Sequence, residues 1–213
     1  MLNLAPVKYA NCFATEGGPL ASIEETTIEF LGRRMAVANA RLADHIRTGL
    51  NRCVVHSDAD GTGIHDNPLT ARHMAISEAL ERWAHAKLWA SESASVYAFD
   101  YDPTSNGMSA FPGLFPKQAR QFAYREAVER YGVIAWWAGL ASARLDVTCV
   151  EPDVDTYRIE QPFPHFEVVL TRMQSREGFY CYGFGSGKSV AAARERAVLE
   201  MERSHMMLDR FFV

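Results

Sequence analysis

Three stretches of the sequence place glutamates and arginines at spacings that bring side chains onto one face of a helix. These residues are Glu78, Glu81 and Arg82 in the first stretch, Glu126, Glu129 and Arg130 in the second, and Arg196, Glu200 and Arg203 in the third. Residues three, four or seven positions apart share a face of an α-helix. Small residues lie on the same faces, so we expect each helix to present charged groups beside room for a ligand.

The three helices share one pattern, in which alanine occurs seven and three positions before a glutamate. The pairs are Ala71 and Ala75 before Glu78, Ala119 and Ala123 before Glu126, and Ala193 and Ala197 before Glu200. Each helix also follows a glycine turn, and Gly61 and Gly63 align without gaps with Gly183 and Gly185. Such self-similarity predicts strand–turn–helix units that recur in the fold. One polar face is often only solvated surface, but three faces in phase favour a shared site.

The stretch GFGSGKS (Gly183–Ser189) has the composition of a phosphate-binding loop. That loop needs four residues between its first glycine and the Gly-Lys-Ser, whereas Gly183 and Gly187 enclose three. Glu200 should also lie about 15 Å from the amides that begin the last helix, at 1.5 Å per residue. We interpret Gly183–Ser189 as a strand-to-helix turn and retain a phosphate-loop nucleotidase that uses Lys188 as a third hypothesis.

The composition is that of a globular protein, with 213 residues, 48% of them hydrophobic and 23% charged. This length fits a single domain over residues 1–213. The net charge is −4 and no basic stripe is present, so nucleic acid is not an expected partner. No apolar run is long enough for a bilayer and no signal peptide opens the sequence. Together with scattered cysteines, these features predict a cytoplasmic protein that has no membrane partner.

Hydrophobic periodicity and capping signals predict long helices that alternate with strands. Helices are expected over Ser22–Leu50, where Ser22 and Glu25 have the spacing of a capping box, from Asn67–Pro68 to about Ala90, from Pro116 to about Ala138, and from Ser189 to about Asp209. Strands are expected within Arg52–Asp60, Ser95–Asp102, Leu145–Arg172 and Gly178–Phe184, and a turn at Asn106–Gly107. The predicted fold class is therefore α/β or α+β, with long helices packed on a sheet.

Four blocks of the sequence together resemble the YcaO family. They are EALER (Glu78–Arg82), SNGMSAF (Ser105–Phe111), EAVERYGVIAWW (Glu126–Trp137) and GFGSG…RAVLE (Gly183–Glu200), and they occur in the family's order between about residues 60 and 204. Residues 1–55 would form an N-terminal strand and helix extension. The resemblance implies an α/β fold that binds ATP with magnesium between acidic helices. Family members use ATP to activate a peptide-backbone amide, which leads to azolines, thioamides or amidines in ribosomally made peptides.

The resemblance also implies roles for residues at the matching positions. It implies magnesium ligation by Glu78, Glu81, Glu129 and Glu200, phosphate contacts by Arg82, Arg130 and Arg196, and support of the metal cluster by Glu126. Scattered carboxylates together with substrate phosphates are the ligands that magnesium prefers. The partners implied are a peptide substrate and an E1-like or TfuA-like protein, and a homodimer is compatible with the sequence.

Several positions depart from the family pattern. Thr62 stands where the family usually has lysine between the first glycines, Ala75 where it has serine, Tyr131 where it has aspartate, and Arg203 where it has glutamine. The chain also lacks a proline-rich tail after DRFFV. These departures indicate a short, minimal member of the family. The alternative hypothesis is a catalytically inactive, truncated subunit that serves as a scaffold for a partner or a peptide.

Overall fold

The computed structural model describes residues 9–13, 15, 17–48, 59–89, 91–92, 94–97, 116–147 and 153–212. Its elements, in chain order, are β1 (Leu20–Phe30), β2 (Arg33–Leu42), α1 (Asp44–Thr48), β3 (Gly61–His65), α2 (Pro68–Trp89), a 3₁₀ turn (Ala94–Tyr97), α3 (Pro116–Trp137), β4 (Ala143–Leu145), β5 (Val154–Ile159), β6 (Glu167–Gln174), β7 (Tyr180–Gly187) and α4 (Val190–Phe212). The strands form two antiparallel sheets, in the orders β1-β2-β3 and β4-β5-β6-β7. The α+β fold class is confirmed.

The chain divides into two compact units, which we call unit 1 (Met1–Phe122) and unit 2 (Ala123–Val213). Unit 1 contains the three-stranded sheet with α1 and α2, and unit 2 contains the four-stranded sheet with α4 and the greater part of α3. The single domain over 1–213 stays a prediction.

Unit 1 begins with a β-hairpin where the sequence predicted a helix over Ser22–Leu50. Strands β1 and β2 pair antiparallel around a two-residue turn at Leu31 and Gly32, both of which have positive φ (47° and 71°). Two positive φ values match the twist of a hairpin. The helix prediction is wrong because a cluster of β-branched residues favours a strand over the helical signal of the Ser22–Glu25 spacing. Among the described residues of this stretch, 22–48, only Asp44–Thr48 is helical.

Helix α2 covers one face of the unit 1 sheet, and its start agrees with the sequence. The Asn67 side chain accepts a hydrogen bond from the Thr70 amide (3.2 Å), so Asn67 caps the helix and Pro68 occupies the first turn, as predicted. The buried side chains between helix and sheet include Ala38, Ala40, Ala71, Ala75, Ala79, Ile76 and Leu80. Most of them are small, so the helix can approach the strands closely.

Glycines in the strands make that approach possible, and they are not in turns as the sequence predicted. Gly61 and Gly63 belong to β3, and a Cβ atom on either would overlap the α2 backbone at Ala75 or Ala71. In unit 2, Gly183 and Gly185 belong to β7 and stand in the same relation to Ala197 and Ala193 of α4. The alanine face that we expected to leave room for a ligand is therefore filled by the sheet, and the repeat is a strand–helix packing module.

Unit 2 has helices on both faces of its sheet. Val169 of β6 packs with Ala193 and Ala197 of α4, whereas Val168 and Leu170 pack with Val128 of α3. This follows from the strand geometry, since neighbouring side chains in a strand point to opposite faces. The predicted helices that became α3 and α4 are confirmed, and so is the strand expected within Leu145–Arg172 that became β6.

The remaining element predictions have mixed outcomes. The strand predicted over Ser95–Asp102 is wrong where the structure describes it, because Ala94–Tyr97 forms a 3₁₀ turn. The strand within Arg52–Asp60 lies mostly outside the described residues, and so does the turn at Asn106–Gly107. Gly183–Gly187 is part of β7, and α4 starts at Val190. The glycines before Lys188 therefore form a strand and not the phosphate-binding loop that the third hypothesis requires.

Candidate functional site

The polar site in unit 2 lies where α3 and α4 flank the edge strand β7. Ser186 is the β7 residue between Gly185 and Gly187, which both contact α4, so its side chain points to the α3 face. There its hydroxyl oxygen lies 2.9 Å from Glu129 Oε2 and 3.1 Å from the backbone carbonyl oxygen of Arg125. Ser186 therefore fixes one turn of α3 against the strand.

Glu129 is the central carboxylate of this site. Burial raises its pKa, and the negative charges of Glu126 and Glu200 raise it further. The hydrogen bond from Ser186 and the positive charge of Arg125 act in the opposite direction. Since Glu126 and Glu200 both act on Glu129, carboxylates from α3 and α4 share one electrostatic environment.

Two arginines lie beside Glu129, one on each helix. Burial lowers the pKa of Arg125 to about 10, and the neighbouring positive charge of Arg196 contributes to that decrease. Arg196 also has a lowered pKa because of burial, offset by Glu129 and Glu195, even though more than a third of the residue is exposed. Both arginines thus act on Glu129 from different helices.

Two further ion pairs lie on the helices themselves. Arg130 binds Glu126 at 2.8 Å, four residues apart on α3, and Arg203 binds Glu200 at 3.0 Å, three residues apart on α4. The sequence resemblance predicts glutamine at the position of Arg203, and the arginine found there gives Glu200 a guanidinium partner.

The predicted site residues of unit 2 therefore come together. Glu126, Glu129, Arg196 and Glu200 share the electrostatic cluster, and Arg130 joins it through Glu126. Ser186 and Arg125 also contact this cluster, and neither was predicted from the sequence. Arg125 lies four residues before Glu129, so the same spacing rule applied to Glu129 would have found it. Nothing in the sequence marks Ser186, because its role depends on which helix covers which face of β7.

In unit 1, Glu78 binds the backbone of β3, which is the edge strand of its sheet, and Arg82 binds the backbone of the residue before that strand. Glu78 Oε2 accepts a hydrogen bond from the Thr62 amide (2.6 Å), and Glu78 Oε1 binds Arg82 (2.7 Å). Arg82 also donates to the Asp60 carbonyl oxygen (3.1 Å). Glu81, the third predicted residue here, is partly buried on α2. The Glu78–Arg82 pair thus satisfies backbone groups at the edge of the sheet.

The ring of contacts around this edge extends to Asp60 and Asn39. The buried Asp60 carboxylate accepts from the Leu42 amide (2.8 Å) and pairs with Arg47 (3.3 Å), while the Thr62 hydroxyl donates to the Asn39 side chain (3.0 Å). Thr62 stands where the family has lysine, and here both its amide and its hydroxyl have protein partners.

No three His, Cys, Asp or Glu side chains are grouped to hold a metal ion in the part of the chain that the structure describes. Across the same residues, no helix has the length and apolar character needed to span a membrane.

A solved protein with a similar structure is the YcaO from Methanopyrus kandleri, described as bound with AMPPCP and Mg²⁺. The TM-score is 0.62 and 15% of residues are identical; the match covers 90% of this chain and 63% of the YcaO chain, so this chain spans less than two thirds of that protein. No family model matches the sequence, and no curated protein matches it. The resemblance stated from the motifs is therefore confirmed for the fold, which is YcaO-like.

Proposed function

We propose that this protein binds Mg-ATP and uses it to activate a peptide-backbone amide by phosphorylation, as a step in the modification of a ribosomally made peptide. The observation that carries the proposal is the cluster of Glu129, Glu200 and Arg196 in unit 2. The motif positions named these residues although α3 and α4 are far apart in sequence. The similar solved YcaO was bound to an ATP analogue and Mg²⁺, which supports the choice of ligand.

The donor set of unit 2 suits a magnesium–nucleotide complex. Magnesium takes oxygen ligands and commonly uses one or two carboxylates together with phosphates and water. Glu129 and Glu200 are within each other's field and would supply the carboxylates, with Glu126 beside them. Arg196 and Arg130 would bind phosphate oxygens, since guanidinium groups match phosphate geometry.

In this proposal, ATP supplies the phosphoryl group and magnesium supplies charge neutralisation. The residues of the chain bind and orient, because phosphoryl transfer depends mostly on positioning and on stabilising charge. Glu78, Glu81 and Arg82 keep the roles that the resemblance implies as predictions. The peptide substrate, an E1-like or TfuA-like partner, a homodimer and a cytoplasmic location are parts of the same proposal.

A catalytically inactive subunit is the second candidate, and one contact favours it. Arg203 binds Glu200 at 3.0 Å, so a guanidinium competes with a metal ion for one of the proposed ligands. An arginine near carboxylates also reduces the repulsion that a metal would otherwise relieve. Such a protein would hold a peptide or a partner without using ATP.

Isothermal titration of ATP with and without Mg²⁺ tests the proposal. We expect wild type to bind ATP with a magnesium dependence that Glu129→Gln abolishes, while the exposed Glu177→Gln binds as wild type does. If wild type shows no magnesium-dependent binding but Arg203→Gln acquires it, the inactive subunit is the correct reading. If neither protein binds, the nucleotide proposal is wrong.

A further inference from the structure

We propose that the exposed C-terminal end of α3 is the surface through which two copies of this chain form a symmetric dimer. We call this surface the α3 patch, and it consists of Tyr131, Ile134, Trp137 and Leu140. The proposed function includes a homodimer but assigns no interface to it. The α3 patch supplies that interface from residues that have no part in the polar site of unit 2.

The α3 patch carries large apolar side chains that the sheet of unit 2 leaves uncovered. The inner face of α3 packs on the sheet through Val128, which is buried. Tyr131, Ile134 and Trp137 follow one another at three-residue spacing and point away from that inner face. The exposed fractions are 48% for Tyr131, 66% for Ile134, 80% for Trp137 and 84% for Leu140.

The exposed end of the helix has a fixed conformation. The Leu140 amide donates to the Ala135 carbonyl oxygen (2.7 Å), and the Gly139 amide donates to the Trp136 carbonyl oxygen (3.0 Å). Gly139 has a positive φ of 71°. These two bonds and the left-handed glycine form a Schellman motif, which holds Leu140 against the last turn of the helix. The patch is therefore a preformed surface, and a partner can bind it at little cost in conformational entropy.

The apolar area of the α3 patch agrees with what a dimer requires. A stable interface covers about 800 Å² on each partner, and homodimer interfaces are about 65% apolar, so about 500 Å² of that area is apolar. The four side chains expose on the order of 500 Å² together, since one aromatic side chain alone has roughly 150–250 Å². One copy of the patch therefore suffices for each half of an isologous interface, in which both partners use the same surface.

The distribution of charge favours a second copy as the occupant. The sequence YGVIAWWAGL, from Tyr131 to Leu140, contains no charged residue. The nearest charged residues on either side in sequence are Arg130 and Arg144, and each has an ion-pair partner (2.8 Å and 2.5 Å). Two copies of the patch can thus meet without repulsion between like charges, whereas a strongly charged partner finds no complementary charge there.

Light scattering after size exclusion, over a range of protein concentrations and without nucleotide, tests the dimer. The proteins are wild type, Trp137→Asp, Leu140→Asp and the control Val96→Asp. Val96 is 81% exposed but lies in unit 1, outside the patch. We expect wild type and the control to have twice the mass of one chain. Each patch variant should weaken self-association about tenfold or more, because it places an unpaired charge in an apolar interface.

Three results would overturn the α3 patch as a dimer interface. Wild type could be monomeric at every concentration, which would leave the patch to a different partner. The two patch variants could dimerise as tightly as wild type, or Val96→Asp could weaken the dimer as much as they do. Circular dichroism checks folding, and Trp137→Ala and Leu140→Ala replace any aspartate variant that does not fold.

The same proteins separate this inference from the proposed function. Dimerisation is measured without nucleotide, and Mg-ATP is titrated into the same samples by calorimetry. A patch-dependent dimer that binds no Mg-ATP would support the interface and show that the nucleotide proposal is wrong. A monomeric wild type that binds Mg-ATP would show that the interface is wrong and support the nucleotide proposal.

Discussion

The β3–α2 module of unit 1 and the β7–α4 module of unit 2 have the same packing but different chemistry. In both modules a strand glycine packs against a helix alanine, Gly61 against Ala75 and Gly183 against Ala197. The glycine and the alanine are the same number of residues apart in the two modules. The glutamate that follows the alanines differs in its partners. Glu78 binds the Thr62 amide and is 25% exposed, whereas Glu200 binds only along its own helix to Arg203, among the contacts described, and is 47% exposed.

The residue between the strand glycines shows a second difference. Thr62 forms a hydrogen bond with Asn39, so that part of the unit 1 sheet is polar. Phe184 holds the same place in β7 and packs against Trp136 of α3 (ring centroids 6.3 Å apart). The glycine–alanine contact therefore fixes the packing of strand on helix, while the opposite face of the strand can be polar or apolar.

The largest expected effect comes from the glycines that both modules share. Gly61→Ala and Gly183→Ala should each destabilise the protein by about 1–3 kcal/mol, because the new Cβ overlaps the helix backbone and forces it outward. Urea unfolding measures both. Gly32→Ala is the control, since open space surrounds Gly32 and only its positive φ opposes the change. Equal losses at Gly61 and Gly32 would contradict the shared packing.

The next effect separates the two glutamates. Glu78→Ala should cost about 1–3 kcal/mol, because the Thr62 amide loses its acceptor at a partly buried edge. Glu200→Ala should change stability by less than about 1 kcal/mol, since it breaks only a partly exposed pair on one helix. Thermal unfolding of the two variants side by side checks this, and similar losses would show that the two glutamates have equivalent roles.

The helix caps should respond alike in the two units. The Asn67 side chain accepts a hydrogen bond from the Thr70 amide (3.2 Å), and the Ser189 hydroxyl accepts one from the Ala192 amide (3.3 Å). The two caps occupy equivalent positions in the repeat, because Asn67 aligns with Ser189 in the same register as Gly61 with Gly183. Asn67→Ala and Ser189→Ala should each cost about 1 kcal/mol. Asn67→Gly and Ser189→Gly are the matched controls and should lose only a few tenths of a kcal/mol. A strong effect in one unit alone would limit the equivalence to the glycine–alanine contact.

A pH series tests the environment of Glu129 in unit 2. Burial raises the pKa of the Glu129 carboxyl, so the folded protein favours its protonated form. The folded protein therefore loses stability as the pH rises from the ordinary pKa through the raised pKa. Glu129→Gln should therefore be more stable than wild type at neutral pH. The gain should vanish below the ordinary pKa of 4.5. A gain that does not depend on pH would have a cause other than this carboxylate.

The sequence predicted the parts of the fold that depend on local signals. The Asn67–Pro68 start of α2 follows from capping signals, and strand β6 follows from its run of β-branched and apolar residues. The β1–β2 hairpin was missed because Leu31 adopts a positive φ without any turn signature at that position, and a chance capping spacing at Ser22 suggested a helix. The β-branched residues of β1 and its pairing with β2 outweigh that capping spacing.

For the candidate site, too, the sequence predicted what depends on local spacing and not what depends on tertiary packing. Helical spacing brought Glu126 and Glu129 to one face, and the internal repeat pointed to Glu200. Neither the helical spacing nor the repeat could predict that Ser186 forms a hydrogen bond with Glu129 of α3, or that Glu78 accepts one from the Thr62 amide of β3. Both contacts depend on the position at which a helix packs along the edge strand of a sheet. The glycines were assigned to turns since glycine is common in turns, although here it serves close backbone packing.

The glycine–alanine contact acts as a spacer of fixed thickness between strand and helix. Neither residue has a rotamer that can adjust, so any added atom must move the helix as a body. Such a movement would displace Glu78 or Glu200 together with its helix and change the position of its carboxylate relative to the strand. Substitutions in the most apolar part of each module are therefore expected to displace a carboxylate at a distance, without touching a charged group.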